Sequence, residues 1–336
     1  MPAMVGAAAQ ADAVLLVLNA SPGELEAGFA GQTLEHLRVA RCLGSSALLV
    51  AVNQMDAVGY ARQGFDEVVA ASRSVLVRAG YDPGTTRFVP VSALHGAGLT
   101  DASSPPGLGR YDGPPLLAAV RALEPRPIPF TVGARLCIND VILGGHGGIA
   151  VAGTLQAGEL RVGQRLRLMP ADEKLQVRSV RSRDKAVQQA VAGDHVEVGL
   201  SVVGSMSATE LRIAAGSVLC DLASPSRVAR VLEVALRTLE PATPLTRGFP
   251  CELYVPAASC GASISSIVCA LGPRSERLEG APRPRVLGPN CAARGRPKLA
   301  RPVCVDVHTD CKPTGRLVLR EGGRTVAAGV IFAVVK

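Results

Sequence analysis

Tryptophan is absent from the 336 residues and aromatic side chains make up only 3%, which argues against a protein that reads single-stranded nucleic acid by stacking bases on aromatic platforms. No apolar run approaches the roughly 20 residues that a membrane-spanning helix needs, so no membrane partner is expected. Met1 to Ala20 has no basic n-region and includes Gln10 and Asp12, and so does not read as a secretory signal. The nine cysteines are odd in number and contain no Cys-x-x-Cys pair. That pattern is neither a zinc site nor a disulfide framework. The cysteines read as small buried hydrophobes in a reducing compartment, and a cytoplasmic location is expected.

Hydrophobic residues are 48% of the chain and charged ones 19%, a globular composition long enough for two or three domains with cores of their own. The net charge of +8 has two readings. One is an anionic partner, for which a ribosome or tRNA qualifies. The other is codon bias, because Arg far outnumbers Lys and Ala, Gly and Pro are abundant.

The most informative stretch is Ala47 to Asp56, ALLVAVNQMD. A short Val- and Leu-rich run bounded by polar residues reads as a buried parallel strand, and ligands of such sheets sit at the strands' carboxyl ends. Asn53 and Asp56 therefore stand at a candidate site. A carboxylate there can accept two hydrogen bonds from the ring N–H and exocyclic amine on one edge of guanine, a pair of donors that adenine lacks. Each charge-assisted bond of this kind is worth roughly 1.5 to 3 kcal/mol. An ordinary strand-to-helix turn capped by Asn or Asp has the same four letters. A second short strand, Phe88 to Val91, ends in Ser92-Ala93-Leu94 and raises the guanine reading above the turn.

Asn53-Gln54-Met55-Asp56 resembles the Asn-Lys-x-Asp base-recognition motif of GTPases, with Gln54 in place of the lysine. Ser92, Ala93 and Leu94 fall where GTPases place their second guanine loop. The resemblance implies cofactor-binding roles for Asn53, Gln54, Asp56, Ser92, Ala93 and Leu94, with the backbone N–H of Ala93 meeting the base oxygen. Gln54 keeps part of the lysine stem and loses the charge that reaches the phosphate loop, so weaker nucleotide binding is expected. Ala8 to Ala13, Gly23 to Phe29 and Gly31 to His36 are similar to the elongation factor 1-alpha group. Phe130 to Asp140, Leu168 to Glu173 and Ala192 to Val196 resemble its Hbs-type members, which partner Pelota in rescuing stalled ribosomes. The class II release-factor GTPase and elongation factor 1-alpha itself are the near alternatives. His36 and His195 read as structural residues rather than catalytic ones.

In chain order, a helix is expected over 4–12, a strand over 13–18, a helix over 32–43 stopped by Gly44, the guanine strand, a helix over 65–79, a strand over 88–91 and a helix over 116–123. This βαβαβα order is half of a doubly wound α/β domain. Pro125 to Pro129 is a stiff linker. Short alternating strands then follow, over 130–138, 148–157, 164–168, 175–180, 194–200 and 217–220, and read as a small β-barrel. A second barrel is expected from 225, with strands over 227–236, 249–255, 263–271, 302–307, 315–320 and 325–334. The last two are joined through Gly322-Gly323. The Arg- and Pro-rich stretch 274–301 reads as a loop, solvated or touching RNA phosphates. The expected domains are thus 1–123, 124–224 and 225–336.

A working GTPase needs GxxxxGK[ST] to hold phosphates and magnesium, and no Gly-Lys dipeptide occurs in the sequence. The switch threonine and the Asp-x-Pro-Gly-His segment are missing as well. Asp56-Ala57-Val58-Gly59 fits Asp-x-x-Gly only by letters, because it overlaps the guanine loop. The fold class expected is a truncated α/β GTPase-type domain followed by two β-barrels. GTP or GDP is expected to bind weakly or not at all, with magnesium only if the phosphate-binding half is supplied. Three readings remain, the last being a degenerate remnant of such a factor. The first is an Hbs-type translation factor acting with the ribosome and either Pelota, a release-factor-like protein or aminoacyl-tRNA. The second is a non-catalytic ribosome- or partner-binding module.

Overall fold

The computed structural model describes residues 7–8, 11–21, 32–100, 111–124, 132–143, 149–203, 211–239, 244–272 and 284–335. The chain forms two compact units, Ala11–Pro127, and Ile128–Lys336 together with Met1–Gln10. Most of the helix expected over 4–12, the stretch Gly23 to Phe29 and the Pro125 to Pro129 linker lie outside the described residues.

The first unit holds β1 (Ala13–Asn19), α1 (Gln32–Leu43), β2 (Ala47–Asn53), α2 (Arg62–Ala79), β3 (Arg87–Pro90) and α3 (Leu116–Arg121). The three strands form a parallel sheet in the order β1-β2-β3. β2 is the central strand, and its apolar run is buried from Leu48 through Val52, as a strand covered on both faces must be. On one face Leu48, Val50 and Val52 pack with Leu34 and Leu37 of α1 and Phe65, Val68 and Leu76 of α2. On the other, Leu49 and Ala51 pack with Val89, Val91 and Ala119 of α3. α2 repeats its buried residues at helical spacing from Phe65 to Ala79 and stops at Gly80, whose φ of 88° is left-handed and whose N–H returns to Leu76. That is the glycine terminator expected of a helix end. α1 ends at Gly44 in the same way, with its N–H 3.1 Å from the Ala40 carbonyl.

The second unit begins with β4 (Arg135–Leu143), β5 (Ile149–Ala157), β6 (Glu159–Arg161), β7 (Arg165–Met169), β8 (Glu173–Ser182), β9 (Lys185–Val187), β10 (Gln189–Val191), β11 (His195–Val202) and β12 (Val218–Asp221). Seven of these run in the order β11-β5-β4-β12-β7-β8-β9, and a β11–β8 pairing closes the sheet on itself. Leu136, Val151, Leu166, Leu168, Val177, Val198 and their neighbours fill the interior.

A closed barrel follows in the order β13-β18-β16-β15-β19-β20. Its strands are β13 (Arg227–Thr238), β15 (Pro250–Tyr254), β16 (Ser259–Leu271), β18 (Ala292–Val305), β19 (Arg316–Glu321) and β20 (Arg324–Val334), with β14 (Leu245–Thr246) pairing β17 (Val286–Leu287) beside it. The turn into β20 uses Gly322 and Gly323 at φ 53° and 81°, as a tight hairpin requires.

Two sequence readings need correction. The stretch 274–301 is not all loop: 274–283 lie outside the described residues, but β17 and most of β18 fall within 284–301. β18 buries Ala293, Gly295, Pro297 and Leu299 at alternate positions. Small residues and a proline disguise a core-facing period of two. Pro297 is accommodated because it pairs with Ile264 where the register shifts, and such irregularities tolerate proline. The first barrel strand also starts at Arg135, after 132–134 that are not strand, while 130–131 of the expected strand lie outside the described residues.

Candidate functional site

The parallel sheet brings three chain segments to one end. Residues 19–21 leave β1, 53–56 leave β2 and 91–94 follow β3. The register Asn19↔Asn53 puts the first two side by side, and the Ala20 N–H donates to the Asn53 carbonyl at 2.8 Å. The Val91 N–H donates to the Val52 carbonyl at 2.8 Å, and the Met55 N–H to the Val91 carbonyl at 3.3 Å. Met55 is wholly buried and anchors the turn from below.

Above that floor Gln54 adopts a left-handed conformation, φ 60°, and Met55–Val58 make one turn of 3-10 helix closed by Gly59 at φ 60°. The sharp reversal turns Asp56 back over the strand ends. Asn53 Oδ1 accepts from the Ala93 N–H at 3.0 Å, tying the two loops together. The second loop is pinned by a pair of residues, Ser92 and Ala97, through the Ser92 N–H to the Ala97 carbonyl at 3.0 Å. Gly98 is required there, since its φ is 71° and a Cβ would collide with the Pro90 carbonyl.

Asp56 has a quarter of its side chain exposed. The Ser92 hydroxyl holds its carboxyl below the usual carboxylate range, with smaller help from its own backbone and from His95 and against a small desolvation penalty. His95 Nε2 lies 3.9 Å from Asp56 Oδ2. An ionised carboxylate facing solvent at the end of a parallel sheet can accept two converging N–H donors, as the guanine edge presents.

Of the residues expected from sequence, Asn53, Asp56, Ser92 and Ala93 come together. Leu94 follows Ala93 in the same loop with its side chain 82% exposed. The Ala93 N–H, expected to point at a base oxygen, is given to Asn53 Oδ1 instead, because a main-chain donor with a side-chain acceptor in reach pairs with it. Gln54 turns its carboxamide to Ser21, whose hydroxyl donates to Oε1 at 3.1 Å. Ser21 and His95 were not singled out from sequence. The parallel register could have found Ser21, which follows β1 by two residues as Gln54 follows β2 by one.

A sheet of this order followed by two antiparallel barrels defines a GTPase-type multidomain protein. Residues 1–126 match the elongation factor Tu GTP binding domain and residues 232–332 the GTP-eEF1A C-terminal domain-like family. Elongation factor 1-alpha of Pyrobaculum calidifontis is 33% identical over 333 residues, covering 98% of this chain and 73% of the relative. Protein HBS1 of Drosophila melanogaster is 30% identical over 98% of this chain and 49% of its own length. The crystal structure of the S. cerevisiae Ski7 GTPase-like domain bound to GTP superposes with a TM-score of 0.75 at 15% identity, covering 95% of this chain and 73% of that one, a likeness of fold. The chain belongs to the elongation factor 1-alpha family of translational GTPases.

That family implies GTP or GDP with magnesium, and the residues fit the ligand unevenly. Asn53, Asp56 and Ser92 suit the guanine base. The phosphates and magnesium find no comparable set: the sequence has no Gly-Lys dipeptide, and no group of three or more His, Cys, Asp or Glu among the described residues is arranged to hold a metal ion.

Proposed function

We propose that the chain is a guanine-recognising translation factor of the Hbs type, organised as domains 1–123, 124–224 and 225–336. It works in the cytoplasm on stalled ribosomes beside Pelota or a release-factor-like protein. The observation that carries the reading is the Asn53–Ala93 tie, which holds both guanine loops in register at the carboxyl ends of β2 and β3 with Asp56 open to a base. Likeness to HBS1 along 98% of the chain and the net charge of +8 support a ribosomal partner. Elongation factor 1-alpha relatives of similar identity make aminoacyl-tRNA the alternative partner. Co-sedimentation of the purified chain with ribosomes, alone and with each partner, tests this. Retention increased by a release-factor-like protein and not by aminoacyl-tRNA is expected; the reverse result assigns the chain to the elongation branch.

The poor fit of phosphates and magnesium favours a second reading, a binding module without hydrolysis, since phosphoryl transfer depends on electrostatic stabilisation of those groups. Under it, GTP incubated with the chain and magnesium releases phosphate no faster than buffer does. Release above that background returns the chain to the enzymes.

A further inference from the structure

We propose that the Asn53–Asp56 site takes guanine nucleosides without regard to their phosphates, so that guanosine, GMP and GDP are one ligand class to this chain. The inference rests on the guanine reading above and sharpens it from nucleotide to nucleoside.

The base-facing groups are held by bonds internal to the chain. Asn53 Oδ1 accepts from the Ala93 N–H at 3.0 Å, and Gln54 Oε1 accepts from the Ser21 hydroxyl at 3.1 Å. Neither of these ties needs a phosphate to complete it. A site assembled before its ligand arrives spares the ordering cost of binding.

The charges point the same way. Gln54 is neutral where the base motif of GTPases carries a lysine, and its Oε1 accepts from Ser21 at 3.1 Å. This ties the side chain through a bond between two uncharged groups. Asp56 is a carboxylate, and the charged group that the described residues set against it is His95, at 3.9 Å and 59% exposed. The balance around the base is therefore negative, or neutral when His95 is protonated. A di- or triphosphate adds further negative charge, and among the described residues His95 is the cationic side chain paired with Asp56. The ligand's phosphates gain most by remaining in water, whose high dielectric constant reduces the interaction of two charges 4 Å apart to about 1 kcal/mol. Each phosphate then neither adds to nor subtracts much from the affinity set by the base.

Ser21 becomes a positioning residue. By fixing Gln54 it shapes the wall beside the base, and that effect is common to every guanine ligand.

Ligand-observed NMR titration, which reads millimolar affinities, tests the idea on the full 336-residue chain with guanosine, GMP, GDP and GTP, each with and without magnesium, and with adenosine as the control. Affinities for the four guanine ligands within about threefold of one another, unaffected by magnesium, are expected. Ser21→Ala should weaken guanosine and GDP by the same factor. GDP more than about tenfold tighter than guanosine, or tightened by magnesium, overturns the inference and leaves the guanine reading standing. Guanosine bound no better than adenosine, or no guanine ligand bound at all, sinks the guanine reading and this inference with it.

Discussion

Arg135 and Asp306 stand 171 positions apart in sequence and meet at 3.2 Å with side chains only 4% and 6% exposed. One begins the first barrel strand and the other follows β18 of the closed barrel. Asp306 also accepts from Thr314 Oγ1 at 2.7 Å and Ser226 Oγ at 3.3 Å, and Arg135 donates to the Ala134 carbonyl at 3.0 Å. Cys137, Val218, Cys220 and Cys304 form an apolar cluster of their own that draws on strands from both barrels. Asp306→Ala should destabilise the chain by about 3–5 kcal/mol, because it leaves a buried guanidinium without its counter-ion. Replacing both partners with apolar residues of similar size should recover most of that loss. Urea unfolding of the full chain measures both; a single-variant loss under about 1 kcal/mol would mean that water already relieves the pair.

Asp56→Asn should exchange guanine preference for xanthine. A carboxylate can accept from two guanine donors, whereas the carboxamide offers one acceptor and one donor, and xanthine presents a carbonyl where guanine has an amine. Loss of one charge-assisted bond of roughly 1.5–3 kcal/mol corresponds to guanosine binding weaker by roughly tenfold to a hundredfold. Titration with guanosine and xanthosine reads both directions, and equal guanosine affinity before and after the change removes Asp56 from the site.

Ser92→Ala should raise the acid limit of the same site. The Ser92 hydroxyl is the largest cause of the lowered Asp56 pKa. A carboxyl lowered in the folded state stays ionised as pH falls through its unfolded value, near 3.9; the stability this contributes is present above that value and lost as pH falls through the folded one. Without the hydroxyl the folded value moves back up, so the carboxylate protonates at a higher pH. The carboxyl carbon shift of Asp56, followed by NMR through the acid range in both proteins, reports it. Identical titrations would assign the lowering to the Asp56 backbone and His95 instead.

The sequence made the sheet and the polar residues at its carboxyl end legible for one physical reason: both depend on local patterns. The burial of β2 from Leu48 to Val52 follows from an unbroken apolar run, and the stops at Gly44 and Gly80 follow from glycine. Asn53 and Asp56 were legible because a polar pair breaks such a run at its carboxyl end. β18 was not, because its inward residues include Gly295 and Pro297, which carry a strand's period without its usual side chains. The Ser21–Gln54 bond was hidden for a different reason. It depends on how two strands align, and no residue type announces a register. The Arg135–Asp306 pair is longer-range still, and nothing within either segment singles out its partner.

The last prediction concerns unequal protection within the fold. β1 stands at one end of its three-stranded sheet and pairs with β2 alone among the described strands. Leu15 and Val17 on it are 45% and 55% exposed. An apolar strand with one paired edge has its main chain held on one side only, and the alternate N–H groups that point away from β2 have no strand among the described residues to receive them. β19, by contrast, lies between β15 and β20 in a closed barrel, and Leu317, Val318 and Leu319 are fully buried. Opening β1 therefore breaks one set of ladder bonds and exposes side chains already half in water, whereas opening β19 breaks two sets and empties a core. Local opening free energies should differ accordingly. In native-state hydrogen exchange the amides of Leu15 to Val17 are expected to exchange well ahead of those of Leu317 to Leu319, through local rather than global opening. Equal protection of the two segments would mean that β1 is held on its outer side as firmly as a barrel strand is, and would overturn this account of the sheet edge.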